Sequence, residues 1–184
     1  LPIVFTNSTS SWSTSVSGGN GNYNTIDNNV LNGGYCSVSM YASSATFANT
    51  ENTISNNIID AFSYYGVYAR YAPQIQIVGN DISRENSTVG GTFYGIYLYY
   101  CTGGGINVTE NRIHNACDNI SSYIYGMQMY YCDGTSASPN NFINNAMYNI
   151  DGSSYSTYGI WNYSSDYWNF YHNSIILEDA STVG

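Results

Sequence analysis

A short pattern recurs about five times along the chain, and this repeat restricts the possible folds more than any other feature. Its centre is an Asn with an apolar residue two positions later and, in every copy but one, another three positions earlier. We call this residue the anchor Asn. Successive anchors are separated by about 23 to 32 residues, a period typical of solenoids, propellers and other repeat arrays. The predicted anchors are Asn29, Asn57, Asn80, Asn111, Asn141 and Asn173.

A further strand is predicted between successive anchors. Its residues alternate between small or apolar and larger polar or aromatic types, as expected where successive side chains point to opposite faces of a sheet. Four copies begin with glycine, at Gly66, Gly95, Gly126 and Gly159, and Ser37–Ser39 is a weaker first copy. A propeller blade needs about 40 residues or more, so stacked coils of two or three short strands fit this repeat better.

The length of the repeat varies mainly between each anchor and the strand that follows it. Longer connections are predicted at Arg84–Thr92, Ala116–Tyr123 and Asn144–Thr157. Insertions that gather on one side are typical of stacked coils, and that side is often the binding face. These loops are therefore one candidate binding region.

Parallel stacking gives the anchor Asn a structural role. An inward Asn at the same place in every coil is expected to hydrogen-bond the Asn above and below, which satisfies amide groups that burial would leave unpaired. The tolerance of Asn for left-handed backbone conformations is a second reason to expect it at a corner. The sequence therefore predicts an asparagine ladder.

Charge and hydropathy exclude several kinds of partner. The chain has no Lys and only three Arg, with a formal net charge of −9. Phosphate binding depends on Lys and Arg, so we expect no nucleic-acid partner. There is no apolar run of about 18 residues, so we expect no membrane insertion.

The whole chain, residues 1–184, is expected to form one all-β domain. Residues 1–22 are predicted to be an irregular start or a capping coil, and residues 23–177 to hold the repeats. The chain starts without Met and shows no signal peptide. A removed leader, a segment of a longer secreted chain or a protomer that stacks end to end are all compatible with this.

Aromatic residues are predicted to form two outward columns on the strand that begins with glycine. The first column holds Tyr68, Tyr97, Gln128 and Trp161, and the second holds Arg70, Tyr99, Tyr130 and Tyr163. One interpretation is cross-strand stacking, which contributes about 0.2–1 kcal/mol per pair, with Arg70 stacked on Tyr99. The other is a binding platform for sugar rings or another protein, because exposed aromatic patches usually have a use. The predicted binding residues are Tyr68, Arg70, Tyr97, Tyr99, Tyr130, Trp161 and Tyr163.

Two cysteines occupy the same place in consecutive repeats. Cys101 and Cys132 both follow a pair of tyrosines. Stacked coils lie about 4.8 Å apart, which is within the Cα separation of a disulfide. We therefore predict a disulfide in an oxidising compartment, with a reduced pair as the alternative. Cys36 and Cys117 align neither with this pair nor with each other.

The repeat resembles a known superfamily. Asn-x-Ile, a loop, Tyr-Gly-Ile-Tyr, a short turn and Ile-x-Val-x-x-Asn-x-Ile are similar to the repeats of the pectate-lyase-like right-handed parallel β-helix superfamily. They resemble in particular the Asn- and Tyr-rich solenoid segments of long secreted bacterial surface proteins. The resemblance covers roughly residues 24–177. It implies a right-handed parallel β-helix of about five to six coils and a secreted or cell-surface location.

The superfamily includes enzymes, but their motifs are not matched here. Its lyases use clustered carboxylates to hold calcium and a Lys or Arg as base, whereas Arg70 is the only base in the two columns and neither column holds an acid. The motifs of polygalacturonases are absent. Asn111–His114 is superficially similar to one of them, but Arg112 is better explained by a surface ion pair with Asp81. His114 and His172 show no recurring carboxylate partner, so a zinc or triad role is not expected.

The sequence thus predicts a non-catalytic surface module with a structural or adhesive role and no cofactor. Polysaccharides or neighbouring like subunits are the expected partners, bound through the aromatic face. The alternative is a polysaccharide-active enzyme of the pectate-lyase-like type, which would need Ca²⁺.

Overall fold

The computed structural model describes residues 2–5, 21–85, 87, 90–116, 121–152 and 155–177, and these residues form a β-solenoid. Its 18 described strands, β1 to β18 in chain order, make three parallel six-stranded sheets. Each coil contributes one strand to each sheet. One short 3-10 helix, Ala45–Phe47, interrupts a connection. In the described part of the chain, no helix is long and apolar enough to cross a membrane.

The strands of the three sheets stack in coil order. The first sheet contains β1 (Ile3–Phe5), β4 (Cys36–Tyr41), β7 (Tyr65–Arg70), β10 (Phe93–Tyr99), β13 (Ile124–Tyr130) and β16 (Thr157–Tyr163). The second contains β2 (Thr25–Asp27), β5 (Thr53–Ser55), β8 (Gln76–Val78), β11 (Asn107–Thr109), β14 (Asn140–Ile143) and β17 (Trp168–Tyr171). The third contains β3 (Val30–Asn32), β6 (Ile58–Asp60), β9 (Asp81–Ser83), β12 (Arg112–His114), β15 (Ala146–Ile150) and β18 (Ser174–Leu177). The all-β solenoid predicted from the repeat is confirmed.

One apolar core fills the space between the sheets. Equivalent inward residues of successive coils lie directly above one another, as in the row Val38, Val67, Ile96 and Met127. All four are fully buried. Ile3 and Phe5 of β1 pack against this core, so part of the predicted irregular start is a strand. Residues 6–20 of that start lie outside the described residues.

The asparagine ladder runs through the corner between the second and third sheets. The backbone N–H and Nδ2 of each anchor donate to Oδ1 of the next anchor over 2.9–3.1 Å. From the second anchor onward, Nδ2 also donates to a carbonyl of the preceding coil, as Asn111 does to Ile77 over 2.8 Å. The anchors are Asn29, Asn57, Asn80, Asn111, Asn145 and Asn173.

The fifth anchor differs from the prediction. Asn145, rather than Asn141, occupies the ladder, with buried Phe142 three residues before it and buried Met147 two residues after it. Asn141 lies within β14 and points outward, where its Nδ2 donates to Asn107 Oδ1 over 2.8 Å. The sequence contains two asparagine pairs four residues apart, Asn140–Asn141 and Asn144–Asn145, and the prediction placed the anchor in the first pair instead of the second.

Two smaller corrections concern the corners. The predicted loop Asn144–Thr157 contains β15, so the variable connection begins only after Ile150. The left-handed conformation belongs to the residue before each anchor rather than to the anchor itself. These residues are Asn28, Asn56, Gly79, Glu110, Asn144 and His172, with φ between 53° and 67°.

The glycine at the head of the first-sheet strand allows the coils to approach closely. A Cβ on Gly66 would lie 2.6 Å from the carbonyl oxygen of Gly95, and one on Gly95 would lie 2.6 Å from that of Gly126. The same positions point at core side chains, such as Ile113 beside Gly95. Any larger residue would therefore push neighbouring coils apart.

Candidate functional site

The outward face of the first sheet carries the predicted aromatic columns. Strand pairing aligns Tyr68, Tyr97, Gln128 and Trp161 in one row. It aligns Arg70, Tyr99, Tyr130 and Tyr163 in the next. The structure therefore brings all seven predicted binding residues onto one surface, which we call the tyrosine face.

A third column, which the sequence analysis missed, lies beside them. Pairing aligns Tyr65, Tyr94, Tyr125 and Tyr158, each directly before a strand-heading glycine. Strict alternation would turn these tyrosines inward. The strand instead departs from regular alternation at the glycine, so that Gly95 and Ile96 both face the core while Tyr94 faces outward. The recurring Tyr-Gly dipeptide was the available signal.

A fourth column follows the strand at the corner. Tyr71, Tyr100 and Tyr131 stack with ring centroids 5.5 and 5.1 Å apart. All three have left-handed backbones, with φ of 50–53°. A groove of about 160 Å³ runs beside Tyr71 and Tyr100, with Pro73 and Thr102 in its lining. It is smaller than the roughly 300–1,000 Å³ of pockets for drug-sized ligands.

The tyrosine rings of the third column stack on one another along the solenoid axis. Tyr65 and Tyr94 have centroids 4.9 Å apart at 16°, and Tyr94 and Tyr125 have centroids 4.9 Å apart at 9°. Each ring therefore covers the face of its neighbour. The surface that such a column presents to a ligand consists mainly of ring edges and phenol hydroxyls, rather than open ring faces.

Burial within the face raises the pKa values of its central phenols. Tyr68 is only 7% exposed. Burial raises the pKa of Tyr94 to about 12, and it raises the pKa values of Tyr65 and Tyr97 further. Like any tyrosine, they are protonated at neutral pH and can both donate and accept hydrogen bonds.

Arg70 is the cation of the tyrosine face. Its guanidinium carbon lies 4.9 Å from the ring centre of Tyr41, 5.1 Å from that of Tyr71 and 5.4 Å from that of Tyr99. The predicted stacking of Arg70 on Tyr99 is confirmed. Its Nη1 also donates to the hydroxyl of Tyr41. Tyrosines therefore surround the guanidinium, while the buried Nε of Arg70 has no hydrogen-bond partner among the described residues.

The second column, which holds Tyr99, Tyr130 and Tyr163, is packed differently near the last coil. Tyr130 and Tyr163 stack with centroids 4.4 Å apart at 5°, and Tyr163 is 42% exposed. Trp161 meets Tyr158 edge to face at 4.5 Å. This end of the tyrosine face is its most accessible part.

The two aligned cysteines are neighbours, but they are free thiols. Equivalent side chains of stacked coils stay about 4.8 Å apart, beyond the Cβ separation of about 3.5–4.5 Å that a disulfide needs. The predicted disulfide is therefore not formed, and the reduced pair is observed. Burial raises the pKa of Cys132 well above its usual value.

These cysteines have a structural role that the sequence analysis missed. The backbone N–H of Ala72 donates to Cys101 Sγ over 3.4 Å, and that of Cys101 donates to Cys132 Sγ over 3.4 Å. The N–H of Cys132 donates to Ser165 Oγ over 2.8 Å. The thiols thus continue a ladder of side-chain acceptors at this corner. Cys36 is also a buried free thiol, with its pKa raised to about 12 by burial, and Cys117 lies outside the described residues.

A polar cluster lies on the outward face of the third sheet. Arg112 forms the predicted ion pair with Asp81. His114 Nε2 lies 2.5 Å from Asp81 Oδ1, and its ring stacks on Tyr148 with centroids 5.0 Å apart. No recurring carboxylate partner was found for His114 in the sequence, and the structure supplies a single one, Asp81 of the neighbouring coil.

The predicted loop region is only partly described. Arg84 is buried, and it donates to the carbonyl oxygens of Ala116, Ser63 and Gly91 over 2.8–3.1 Å. It therefore ties the connection Arg84–Thr92 to the start of Ala116–Tyr123. Among the residues that the structure describes, no group of three or more His, Cys, Asp or Glu side chains could hold a metal ion.

The comparisons agree with this architecture. A model of the family described as right-handed β-helix region matches residues 3–175. The chain therefore belongs to the right-handed β-helix family. Comparison with curated proteins and with solved structures gives no significant match.

Proposed function

We propose that the protein is a non-catalytic extracellular or cell-surface β-helix module with a structural or adhesive role. In this proposal the tyrosine face contacts a glycan or another protein subunit. The observation that carries it is the extent of the face, which runs along the first sheet from Tyr65 in β7 to Tyr163 in β16. Aromatic patches of this extent are uncommon on the surface of a monomer without a use.

The chemistry of the face favours ligands rich in hydrogen-bonding groups. Its stacked columns offer neutral hydroxyls and ring edges, and its one cation, Arg70, is engaged by tyrosines. A glycan would be bound by phenol hydroxyls along the columns and by the more open aromatic surface near Tyr163 and Trp161. A protein partner would bury the same edges, as tyrosine does in many interfaces.

The alternative, a polysaccharide lyase, is less well supported. It would require acidic side chains around a calcium ion close to a free base. Described residues around Arg70 are tyrosines, and neither outward column that contains the predicted binding residues holds an acid. The Asp81–His114 pair lies on a different sheet.

The test replaces the three tyrosines of the second column while leaving the core intact. Tyr99, Tyr130 and Tyr163 are changed together to Ser, because Leu98 and Met129 on the inward side of the same strands stay fully buried. Binding is measured on a glycan array with calcium present. A lyase assay that follows the absorbance of unsaturated uronates runs beside it. The matched control changes Tyr167 and Tyr171 to Ser. These two tyrosines are 57% and 52% exposed and lie outside the first sheet.

We expect the wild type and the control to bind the same glycans and the triple variant to lose that binding while its circular dichroism is unchanged. Undiminished binding by the folded triple variant would move the site to the loops Arg84–Thr92, Ala116–Tyr123 and Asp151–Ser156. Production of unsaturated uronate by the wild type would establish the lyase alternative.

A further inference from the structure

A polar groove lies at the corner where the middle coils pass from the first sheet to the second. Its volume is about 350 Å³, and it is lined by Glu51, Gln74, Gln76 and Gly105. This volume lies at the lower end of the roughly 300–1,000 Å³ that is typical of small-molecule sites. The groove is therefore large enough for one small ligand. We call it the corner groove.

A glycine at a repeated position shapes the corner groove. Glu51, Gln74 and Gly105 occupy the same place in three consecutive coils, two residues before the row of the second sheet in which Gln76 pairs with Asn107. All three have left-handed backbones, with φ of 55°, 59° and 77°. A Cβ on Gly105 would lie only 3.3 Å from Gln74 Cγ. Any side chain at residue 105 would therefore narrow the groove.

Gln76 is held rigidly in the wall of the corner groove. Its Nε2 donates to the carbonyl oxygens of Gln74 and Gly105 over 2.8 and 3.0 Å. Its Oε1 accepts from Asn107 Nδ2 over 2.7 Å and keeps one further acceptor site. Because the side chain is fixed before a ligand arrives, little conformational freedom is lost on binding.

The hydrogen bond between Gln76 and Asn107 begins a second amide ladder, on the outward side of the second sheet. Asn141 Nδ2 donates to Asn107 Oδ1 over 2.8 Å, and Asn169 Nδ2 donates to Asn141 Oδ1 over 3.0 Å. Each amide has two donor hydrogens and an oxygen with two acceptor sites. A ligand longer than the groove would therefore meet a row of oriented amides along the sheet.

The groups in the corner groove suit a neutral ligand with several hydroxyls. Glu51 and Gln74 are exposed, so they offer a carboxylate and an amide that both donates and accepts. Gln76 adds its fixed amide oxygen. Adjacent hydroxyls of a sugar ring each donate one hydrogen bond and accept others, which matches this set. The lining contains a carboxylate and no Lys or Arg, so an anionic sugar would be repelled.

We infer that the corner groove binds a neutral sugar unit of a glycan. Hydroxyls of the sugar donate to the Glu51 carboxylate and to Gln76 Oε1, and one of them accepts from the amide of Gln74. None of the seven residues of the tyrosine face lines this groove. The inference is therefore independent of the function proposed for that face, and a module with both sites would hold a glycan at two places.

Saturation-transfer NMR tests the inference on the full chain. The probes are the methyl glycosides of glucose, galactose, mannose and N-acetylglucosamine, with glucuronic acid and glucosamine as charged comparisons. The test variant is Glu51→Ala. The matched control is Glu110→Ala, because Glu110 is also exposed and left-handed, with φ of 60°, but lies at a different corner. Melting curves check the folding of both variants, and Gln74→Ala replaces E51A if that variant unfolds.

We expect the wild type and E110A to bind at least one neutral glycoside with equal affinity. E51A should bind it about tenfold more weakly or worse, as expected for a lost hydrogen bond to a charged group. The triple tyrosine variant should bind it as the wild type does. Absence of neutral-glycoside binding, a preference for either charged sugar, or undiminished binding by folded E51A would overturn the inference. Binding that is lost only in the triple tyrosine variant would also overturn it, while supporting the function proposed for the tyrosine face.

Discussion

Replacing Asn111 with Leu tests the energetic role of the ladder. Asn111 is fully buried near the middle of the solenoid. Its Oδ1 accepts from the backbone N–H and Nδ2 of Asn80 over 3.0 and 2.9 Å. Its Nδ2 donates to Ile77, Thr109 and Asn145 over 2.8, 3.0 and 3.0 Å. Leucine has the same branching as asparagine but is larger, so the substitution removes these hydrogen bonds and also crowds a fully buried position.

The expected loss follows from the groups that remain without a partner. Asn80 Nδ2 keeps its bond to the Ile54 carbonyl, and Asn145 Oδ1 keeps the backbone N–H of residue 111. The backbone N–H of Asn80 loses its acceptor, and the Ile77 carbonyl loses one donor. A buried group without a partner costs about 1–3 kcal/mol, so we expect a loss of about 2–6 kcal/mol for the two groups. For a chain of this size, this lowers the melting temperature by about 4–24 °C.

Calorimetry of N111L and of a control variant measures the effect. The control, Asn107→Leu, makes the same change in the same coil on the outward side, where Asn107 bonds Gln76 and Asn141. Those partners can turn to water, so the control should stay within about 0.5 kcal/mol of the wild type. Equal melting temperatures for the two variants would refute the role assigned to the ladder.

Three further predictions concern other parts of the solenoid. Asn145→Leu should lower the melting temperature as N111L does, whereas Asn141→Leu should leave it nearly unchanged. A thermal melt in which only Asn141→Leu is destabilised would show that Asn141 is the anchor, as first predicted. Cys132→Ser should preserve stability and Cys132→Ala should lower it by about 1–3 kcal/mol, because only alanine leaves the Cys101 N–H without an acceptor; equal urea midpoints would contradict this. Burial raises the pKa values of Tyr94 and Tyr97. Their contribution to the free energy of unfolding is therefore complete below the unfolded pKa of about 10 and is lost as the pH rises towards 12. Phenolate absorbance should therefore increase together with unfolding, and full ionisation of a still-folded chain near pH 10 would contradict the burial.

The sequence was sufficient for the architecture because stacked coils place the same chemical requirement at the same position of each repeat. Anchor asparagines and strand-heading glycines are such requirements, and both could be recognised from spacing alone. The fifth anchor was misplaced although the pattern itself favours Asn145, which has Phe142 three positions before it and Met147 two positions after it. Asn141 has Ser138 three positions before it and satisfies only half of the pattern.

The site was less predictable, because it depends on deviations from regular alternation. Tyr94 faces outward because the strand departs from regular alternation at Gly95, and the sequence shows the Tyr-Gly dipeptide without showing which way the tyrosine points. His114 contacts Asp81 diagonally between adjacent coils, so the two residues do not occupy the same repeat position and an alignment of the repeats does not reveal the contact. Cys101 and Cys132 were correctly aligned, but alignment does not distinguish a bond between sulfur atoms from hydrogen bonds to backbone amides.

The direction of the asparagine ladder has a consequence for biosynthesis. The anchors from Asn29 to Asn145 each donate their N–H to an acceptor in the coil that follows in the chain, as Asn80 does to Asn111. During translation, the acceptor for each newly folded coil is therefore made only afterwards. The most recent coil stays incomplete until the ribosome has delivered roughly one more repeat, and a pause in elongation exposes its amides and apolar side chains at every stage of synthesis.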